Sequence, residues 1–211
     1  MIGSPAELDP ARERAVDAAL EILELRGPNA LTLGEVANRL NLSVSALQRS
    51  FETYDDLLEA LAERWFRGKV AIMEEVVASD LPPRRKMYEF FARRFVLMRD
   101  SYRADPALFE MHAELGNQHF EIVRSYVDLG DHYLCEIIAE AIADGHFPGL
   151  SIDEALSLIN QMVAAYVNIA LMTMVMDKLS ETKLARIVDT IFDGLSAEDR
   201  GALPVTGLRA A

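Results

Sequence analysis

Residues 32–51 read TLGEVANRLNLSVSALQRSF, which is the most informative stretch of the sequence. The spacing of its apolar residues predicts two short helices joined by a three-residue turn. Thr32 and Ser43 are suitable N-caps for the two helices. The side chains predicted to face inward are Val36, Ala37, Leu40, Leu42, Leu47 and Phe51. Those predicted to face outward or sideways are Val44, Ser45, Ala46, Gln48, Arg49 and Ser50.

The second helix of this pair has the size and chemistry to enter a DNA major groove, which is about 12 Å wide. Gln48 can pair with adenine, Arg49 with guanine or a phosphate, and Ser45 with a base or the backbone. The amides that follow Ser43 can receive a phosphate. An ordinary helical hairpin inside a core has the same spacing, so the pattern alone leaves both interpretations open.

Composition limits what else the chain can be. It has 211 residues, 51% of them apolar, which is enough for a sizeable core. A net charge of −13 excludes a broadly basic surface, so any contact with nucleic acid must be local. The single cysteine, Cys135, excludes an intrachain disulfide. We find no secretory signal and no run of 18 apolar residues, so we expect a soluble, cytoplasmic protein without membrane contact.

Helical periodicity continues along the rest of the chain, and no run alternates as a strand would. Capping residues, prolines and glycines divide the sequence into about nine helices, and Thr53 with Asp56 and Ser151 with Glu154 are predicted capping boxes. We therefore predict an all-α fold with an N-terminal helix-turn-helix domain of three helices and a larger C-terminal helical domain. The predicted boundaries are 9–53 for the first domain and 54–197 for the second, with 54–79 as the connecting helix and flexible termini at 1–8 and 198–211.

A family resemblance covers about a quarter of the chain, from Arg12 to Leu61: RERAVDAALEILELRGPNALTLGEVANRLNLSVSALQRSFETYDDLLEAL. This segment resembles the N-terminal domain of the tetracycline-repressor (TetR) family of transcription regulators. The positions in register are Ala18, Ala19, Gly27, Thr32, Val36, Ala37, Ser43, Leu47, Phe51, Leu57 and Leu58. The resemblance implies a homodimer, an operator bound by two helix-turn-helix units, and a small ligand in the C-terminal domain that releases the DNA.

The sequence departs from the family pattern at Gly34, Gln48, Ser50 and Tyr54, where the usual residues favour contacts with the DNA backbone. Tyr54 can still donate its hydroxyl to a phosphate. The predicted DNA-binding residues are Thr32, Ser43, Val44, Ser45, Gln48, Arg49, Ser50 and Tyr54. These departures keep open an alternative in which a TetR-like ligand-binding dimer or co-regulator has weak or lost DNA binding.

Charge near the helix pair is nearly balanced. Residues 1–66 carry a net charge of −6, whereas residues 25–54 carry +1. Few phosphates can be neutralised by one subunit, so we expect weak affinity per subunit and a dimer that spans two half-sites of double-stranded DNA.

The dimer contact is predicted in the C-terminal domain. A single helix from Ile152 to Asp177 would have two apolar faces, and a helix that is apolar on both sides must be buried on both. One face, together with the next helix, suits a two-fold four-helix bundle over about 152–196. A central helix in a monomer is the alternative.

A small apolar effector is predicted to bind among aromatic and methionine side chains, because these adapt to ligands of varied shape. For any single one of these residues, ordinary core packing is the favoured explanation. The predicted ligand-binding residues are Phe91, Phe95, Met98, Met111, His112, Phe120 and Tyr166, and His112 and Gln118 are the candidate polar contacts. The effector's identity is not readable from the sequence.

No catalytic pattern is present, so we expect neither an enzyme nor a cofactor. Asp128, His132 and Glu136 share one helix face and have the spacing of metal ligands, but surface ion pairs explain that spacing and no metal is expected. The segment 84–103 carries a net charge of +5. A solvated face paired with acidic neighbours is favoured there over a second nucleic-acid site.

Together these features predict a DNA-binding transcription regulator, in the role of a repressor that its ligand releases. The helix from Tyr54 to Ala78 would act as the lever between the two sites.

Overall fold

The computed structural model describes residues 9–197, so the two termini predicted to be flexible lie outside the described residues. Over 9–197 the chain forms eleven α-helices and no strand, which confirms the predicted all-α class. The helices are α1 (Pro10–Arg26), α2 (Leu33–Arg39), α3 (Val44–Leu47), α4 (Tyr54–Val77), α5 (Pro83–Ala104), α6 (Pro106–Gln118), α7 (Phe120–Ala143), α8 (Ile152–Met162), α9 (Ala164–Val167), α10 (Ile169–Val175) and α11 (Glu181–Leu195).

Two compact units divide these helices. Within the described residues, the N-terminal unit comprises 9–72 together with Val96–Gly130. The C-terminal unit comprises Met73–Phe95 together with 131–197. Helices α4, α5 and α7 each contribute to both units. The domain boundary after residue 53 stays a prediction. The compact unit that contains the first three helices also includes residues 54–72 and Val96–Gly130.

The core of the N-terminal unit forms where α1, α2 and α3 pack on the first half of α4. The Asp9 side chain accepts a hydrogen bond from the Ala11 amide at the start of α1, and Pro10 occupies the first helical position. Gly27 ends α1 with a φ of 76°, a conformation that favours glycine. Fully or nearly fully buried side chains of this core include Ala15, Ala19, Leu23, Val36, Ala37, Leu47, Phe51 and Leu57.

The C-terminal unit buries aromatic and aliphatic side chains of α5, α7, α8 and α11. At the start of α8, Ser151 and Glu154 form a reciprocal capping box, as the sequence predicts. The buried side chains of this unit include Phe90, Phe91, Phe95, Ile137, Ile138, Ile159, Ile191 and Phe192.

The single helix predicted from Ile152 to Asp177 is wrong. The structure breaks this segment into α8, α9 and α10, which accounts for eleven helices where nine were expected. Asn168 has an extended backbone (φ −85°, ψ 116°), and its side chain accepts a hydrogen bond from the Leu171 amide at 3.0 Å. Asn168 is therefore an N-cap that restarts the helix, because its short polar side chain competes with the helical backbone for that amide.

This cap predicts a measurable loss of stability. Asn168→Ala removes the acceptor of the Leu171 amide, so the free energy of unfolding should fall by about 0.5–2 kcal/mol. Asn168→Asp keeps the acceptor and is the matched control. Urea unfolding measures both. Equal losses for the two variants would show that the cap does not stabilise this segment.

Candidate nucleic-acid interface

The turn between α2 and α3 is built on Asn41. Asn41 has a φ of 54°, and the amide that follows it, of Leu42, donates to the Ala37 carbonyl at 2.8 Å. The Asn41 amide donates to the Asn38 carbonyl at 3.1 Å. These two bonds form a Schellman motif, in which asparagine is one of the few residues other than glycine that tolerate the left-handed position. The sharp turn fixes the direction in which α3 leaves α2.

Leu42 does not fill the turn as predicted, because its side chain is 46% exposed. The other residues predicted to face inward are buried, except Leu40, which is half-buried. The left-handed backbone of Asn41 changes the direction of the chain immediately before Leu42. The spacing of apolar residues cannot predict this change of direction, so it wrongly places Leu42 inside. An apolar side chain therefore lies on the outer surface beside Val44, which is 43% exposed.

Helix α3 is only 4 residues long and begins with a side-chain cap. The Ser43 hydroxyl accepts from the Ala46 amide at 3.1 Å, and the Thr32 hydroxyl caps α2 by accepting from the Glu35 amide at 3.1 Å. Regular helix ends at Leu47, and Gln48, Arg49 and Ser50 continue in turn conformation before Phe51 returns to the core. The Leu47 and Phe51 anchors hold this short segment against α1 and α4.

The predicted DNA-binding side chains fall into two groups by exposure. Thr32, Ser43, Val44, Ser45, Gln48 and Arg49 are exposed, whereas Ser50 and Tyr54 are half-buried. The backbone carbonyl of Ser50 accepts from the Arg12 guanidinium at 3.1 Å, and that guanidinium lies 4.6 Å from the centre of the Phe51 ring. Arg12 thereby ties α1 to the end of the recognition segment, which we define as residues 43–50.

Tyr54 is held at the first residue of α4. Its ring meets the His119 ring edge-on at 6.2 Å, and the side chain packs against the N-terminal core. Burial, and then the charge of Asp55, raise the pKa of Tyr54, so its hydroxyl keeps its proton at neutral pH. Beside it, Thr53 and Asp56 form the expected reciprocal cap, with the Thr53 amide donating to Asp56 at 2.8 Å. That amide bond lowers the pKa of Asp56.

Ion pairs within the N-terminal unit neutralise several of its acidic residues. Glu21 accepts two bonds from Arg39, the shorter at 2.6 Å, and Glu35 pairs with Arg26 at 2.6 Å. The carboxylates of α1 that precede Glu21 pair with arginines of α4: Glu13 and Asp17 with Arg64, and Glu13 with Arg67.

Arg49 differs from these arginines. Across residues 9–197 it is exposed and takes part in no ion pair. It therefore presents an available positive charge on the recognition segment, between Gln48 and Ser50. An exposed guanidinium of this kind matches the bidentate acceptors of guanine and of a phosphate.

Comparison with known proteins places this geometry in a family. The family model described as the tetracyclin repressor-like C-terminal domain matches residues 83–188, and the model described as bacterial regulatory proteins, tetR family, matches residues 15–61. An uncharacterised helix-turn-helix-type regulator in the dhlA 5′ region of Xanthobacter autotrophicus is 30% identical over 161 residues, 74% of this chain and 75% of that protein. The chain belongs to the TetR family of transcription regulators.

Solved structures of TetR proteins share this fold. The superposition with PfmR from Thermus thermophilus covers 87% of this chain and 100% of the PfmR chain, with 17% sequence identity and a TM-score of 0.55. FadR from Bacillus subtilis was solved in complex with stearoyl-CoA. The superposition with FadR covers 88% of this chain and 97% of the FadR chain, with 19% sequence identity and a TM-score of 0.57. These identities are low, so the likeness concerns the fold alone.

Family membership confirms the coarse functional prediction. This TetR protein is a DNA-binding transcription regulator, and proteins of its family bind operator DNA and dimerise. Nothing in the comparisons or in the described part of the chain indicates catalysis. Burial raises the pKa of the Cys135 thiol, which keeps that group protonated and a poor nucleophile at neutral pH.

The basic segment of this TetR protein is paired with acidic neighbours. Arg84 pairs with Asp189 and Asp193 of α11, and Arg93 pairs with Glu75. Lys86 is buried rather than solvated, and its ammonium donates to Glu140 and to the Val77 carbonyl. These pairs support the interpretation of this face as an ion-paired surface.

Of the remaining charged residues on α5 and α7, Arg94 differs from the sequence interpretation of a solvated face, whereas the contact between His132 and Glu136 agrees with the interpretation as a surface ion pair. Burial lowers the pKa of Arg94 to about 10, and its guanidinium lies 4.7 Å from the centre of the Phe90 ring. His132 lies 3.3 Å from Glu136, and no three metal-binding side chains cluster anywhere in 9–197. No helix in this range is long and apolar enough to cross a membrane.

The predicted ligand-binding residues are divided between the two units. Phe91, Phe95 and Tyr166 are buried in the C-terminal unit, where the Phe95 and Tyr166 rings meet edge-on at 5.0 Å. The N-terminal unit holds the others: Met98 is buried, Met111 and His112 are half-buried, and Phe120 is 51% exposed at the first residue of α7.

Sequence reasoning missed two residues beside His112. Trp65 lies with its ring centre 4.5 Å from that of His112, and Lys69 is buried one helical turn further along α4. Their i, i+4 spacing on α4, with the chain's single tryptophan, is a signal that the sequence offers. The prediction from sequence treats α4 only as the connecting helix, so it assigns no role to Trp65 and Lys69.

Proposed function

We propose that this TetR family regulator is a homodimeric repressor that a small, largely apolar ligand releases from double-stranded operator DNA. The observation that carries the proposal is the exposed recognition segment, in which Arg49 makes no ion pair with any other described residue while neighbouring arginines are neutralised. The proposal locates the protein in the cytoplasm, where its DNA target is.

Direct base contact is assigned to Gln48 and Arg49. Gln48 would read adenine and Arg49 guanine, while Ser43, Ser45 and Thr32 hold the DNA backbone. Val44 and Leu42 add exposed apolar surface that suits the methyl group of thymine. The roles of Ser50 and Tyr54 are reduced by their burial, so phosphate anchoring depends on few groups.

Two-fold pairing is assigned to α8–α11, over about 152–196. Exposed apolar side chains collect on α8 and α10 in the isolated chain, and they include Met174, which is 78% exposed. Monomeric proteins seldom leave such a collection uncovered, and operator half-sites need two recognition segments. The exposed side chains are Ile152, Leu158, Met162, Leu171 and Met174.

This assignment predicts that one buried charge breaks the dimer. Leu171→Asp would place a carboxylate in an apolar contact, so the dissociation constant of the dimer should rise at least about 100-fold. Light scattering after size-exclusion chromatography measures the change. Leu25→Asp, at an exposed leucine of α1, is the control and should stay dimeric. A Leu171→Asp protein that is still a dimer would remove α10 from the interface.

Ligand release is proposed as a shift between two conformers that differ in the placement of the recognition segments, with α4 transmitting the change. Aromatic and methionine side chains in both units suit an apolar ligand. The FadR structure with stearoyl-CoA supports this, because it is a protein of the same fold whose ligand carries a long apolar acyl chain. Linkage requires DNA to weaken ligand binding by the same factor as ligand weakens DNA binding, typically about 5–150-fold.

The test is equilibrium binding to the DNA upstream of the protein's own gene, at several salt concentrations. Each neutralised phosphate adds about 0.9 to the salt slope, and the few available cations predict a shallow slope with retained sequence preference. The second candidate is a ligand-binding dimer or co-regulator with weak or lost DNA binding, which the burial of Ser50 and Tyr54 favours. Binding without sequence preference at low salt would support the second candidate.

A further inference from the structure

An unusual polar group lies among the aromatic side chains of the N-terminal unit. It consists of His112 on α6 and Lys69 on α4, and we refer to the two residues as the His-Lys pair. Both belong to the same compact unit, and the Trp65 ring lies in contact with each of them. The recognition segment does not include them.

His112 has two ring nitrogens that are shielded from water and make no hydrogen bond. Burial lowers the pKa of His112, and the positive charge of Lys69 lowers it further. The backbone carbonyl of Leu108, one helical turn earlier, raises this pKa, but it is not placed to accept a hydrogen bond from the ring. The ring is therefore neutral at pH 7, with one N–H donor and one acceptor. Buried polar atoms in native proteins nearly always have partners, so this histidine needs an explanation.

Lys69 brings a positive charge to the same place. Its side chain is 6% exposed, and its ammonium lies 4.6 Å from the centre of the Trp65 ring and 4.3 Å from that of Phe66. Ring faces attract a cation, which helps to hold the ammonium inside the unit. A buried ammonium next to a histidine creates a positive potential that favours an anion.

The surrounding walls are apolar and aromatic. The ring centres of Phe109 and Trp65 are 5.5 Å apart, and those of Tyr102 and Phe109 are 5.6 Å apart in an edge-on contact. The Phe66 and Tyr126 rings are stacked with their centres 4.5 Å apart. These walls suit a hydrocarbon or aromatic group, not a second charge. The site therefore offers one donor, one cation and apolar surface, which matches a monocarboxylate better than a phosphate with its several strong acceptors.

We infer that the His-Lys pair binds the carboxylate of the effector, which is an apolar monocarboxylic acid. In the bound state the His112 N–H donates to one carboxylate oxygen and the Lys69 ammonium pairs with the carboxylate. The ring nitrogens are closed off from water in the structure, so the aromatic side chains must move apart for the ligand to enter. Such a rearrangement couples occupancy to the conformer of the unit that carries the recognition segment.

This inference rests on the proposed function for the role of the ligand as an effector, but its test does not require DNA. Trp65 is the chain's only tryptophan, so its fluorescence reports on this site alone. The full-length protein is titrated with octanoate, decanoate and phenylacetate, and with 1-octanol, 1-decanol and 2-phenylethanol as matched neutral probes. We expect at least one carboxylate to bind about 10-fold or more tightly than its alcohol, which corresponds to about 1.4 kcal/mol.

Variants of the His-Lys pair separate charge recognition from packing. Lys69→Met and His112→Phe should reduce the carboxylate preference to less than about threefold while the alcohol still binds, because each removes one polar partner of the carboxylate. Lys69→Arg, which keeps the charge, should retain the preference if Lys69→Met fails to fold. Lys178→Met removes an exposed lysine of the C-terminal unit and is the charge-matched control.

Equal binding of carboxylate and alcohol, no binding of any probe, or an unchanged preference in folded Lys69→Met and His112→Phe would each overturn the inference. Failure of the proposed function gives a different result: the carboxylate preference remains, but no carboxylate alters the affinity for DNA or no DNA binds.

Discussion

Arg49→Ala should abolish sequence-specific DNA binding while leaving the fold and the dimer intact. One bidentate base contact contributes about 1–3 kcal/mol, and a symmetric dimer has two copies of Arg49, so the loss for the dimer is roughly 2–6 kcal/mol. Affinity for the specific site should therefore fall at least about 30-fold. The side chain is exposed and takes part in no ion pair within 9–197, so its removal leaves no buried partner without a bond.

Fluorescence anisotropy with labelled upstream DNA, in excess unlabelled random DNA, measures this loss. If Arg49 contacts phosphate, binding weakens on every sequence and the salt slope falls by about 0.9 for each phosphate that is no longer neutralised. Arg124→Ala removes the same charge from an exposed position on α7 and should change neither quantity. An Arg49→Ala protein that matches Arg124→Ala would exclude this side chain from the interface.

Phe51→Ala should destabilise the N-terminal unit by about 3–5 kcal/mol, the usual cost of a buried phenylalanine replaced by alanine. The Phe51 side chain has no exposed surface, and the Arg12 guanidinium lies over its ring. The phenylalanine anchors the end of the recognition segment to α1, so DNA binding should fail together with stability. A loss of this size is a large share of the roughly 5–15 kcal/mol that stabilises a typical protein.

Urea unfolding followed by Trp65 fluorescence reports on this unit, because Trp65 lies within it. Leu25→Ala is the matched control: Leu25 is an exposed apolar residue of α1, and its loss should cost no more than about 0.5 kcal/mol. Equal midpoints for the two variants would mean that Phe51 does not hold the segment in place.

The sequence predicts the local architecture well where a side chain determines it. Thr32, Ser43 and Ser151 cap helices as expected, because the preference of these side chains for a backbone amide depends on few other residues. Leu47 and Phe51 are buried as their i, i+4 spacing indicates. The recognition segment is therefore identifiable from the sequence alone.

Features that depend on backbone geometry are harder to predict. The left-handed Asn41 places Leu42 outside, and Asn168 interrupts an apolar run that has helical periodicity throughout. At both asparagines a turn or cap hydrogen bond replaces the regular helical bond. The periodicity of apolar residues carries no information about such a replacement.

The candidate ligand site is predictable only in part. Spacing identifies the inward face of one helix but not which helices meet, so it groups Phe95 with His112 although they belong to different units. The neighbours of His112 come from α4, and their aromatic contacts are visible only after folding.

Selection of genomic DNA by the purified protein tests whether the recognition segment reads a specific sequence. Sheared DNA from the source organism is bound at low salt in excess random competitor, and the retained fragments are sequenced. We expect enrichment of fragments that share an inverted repeat, with half-sites about one helical turn apart, and no enrichment by Arg49→Ala. If a dimeric, folded protein enriches no common sequence, or if Arg49→Ala enriches the same fragments, the recognition segment does not read DNA through Arg49.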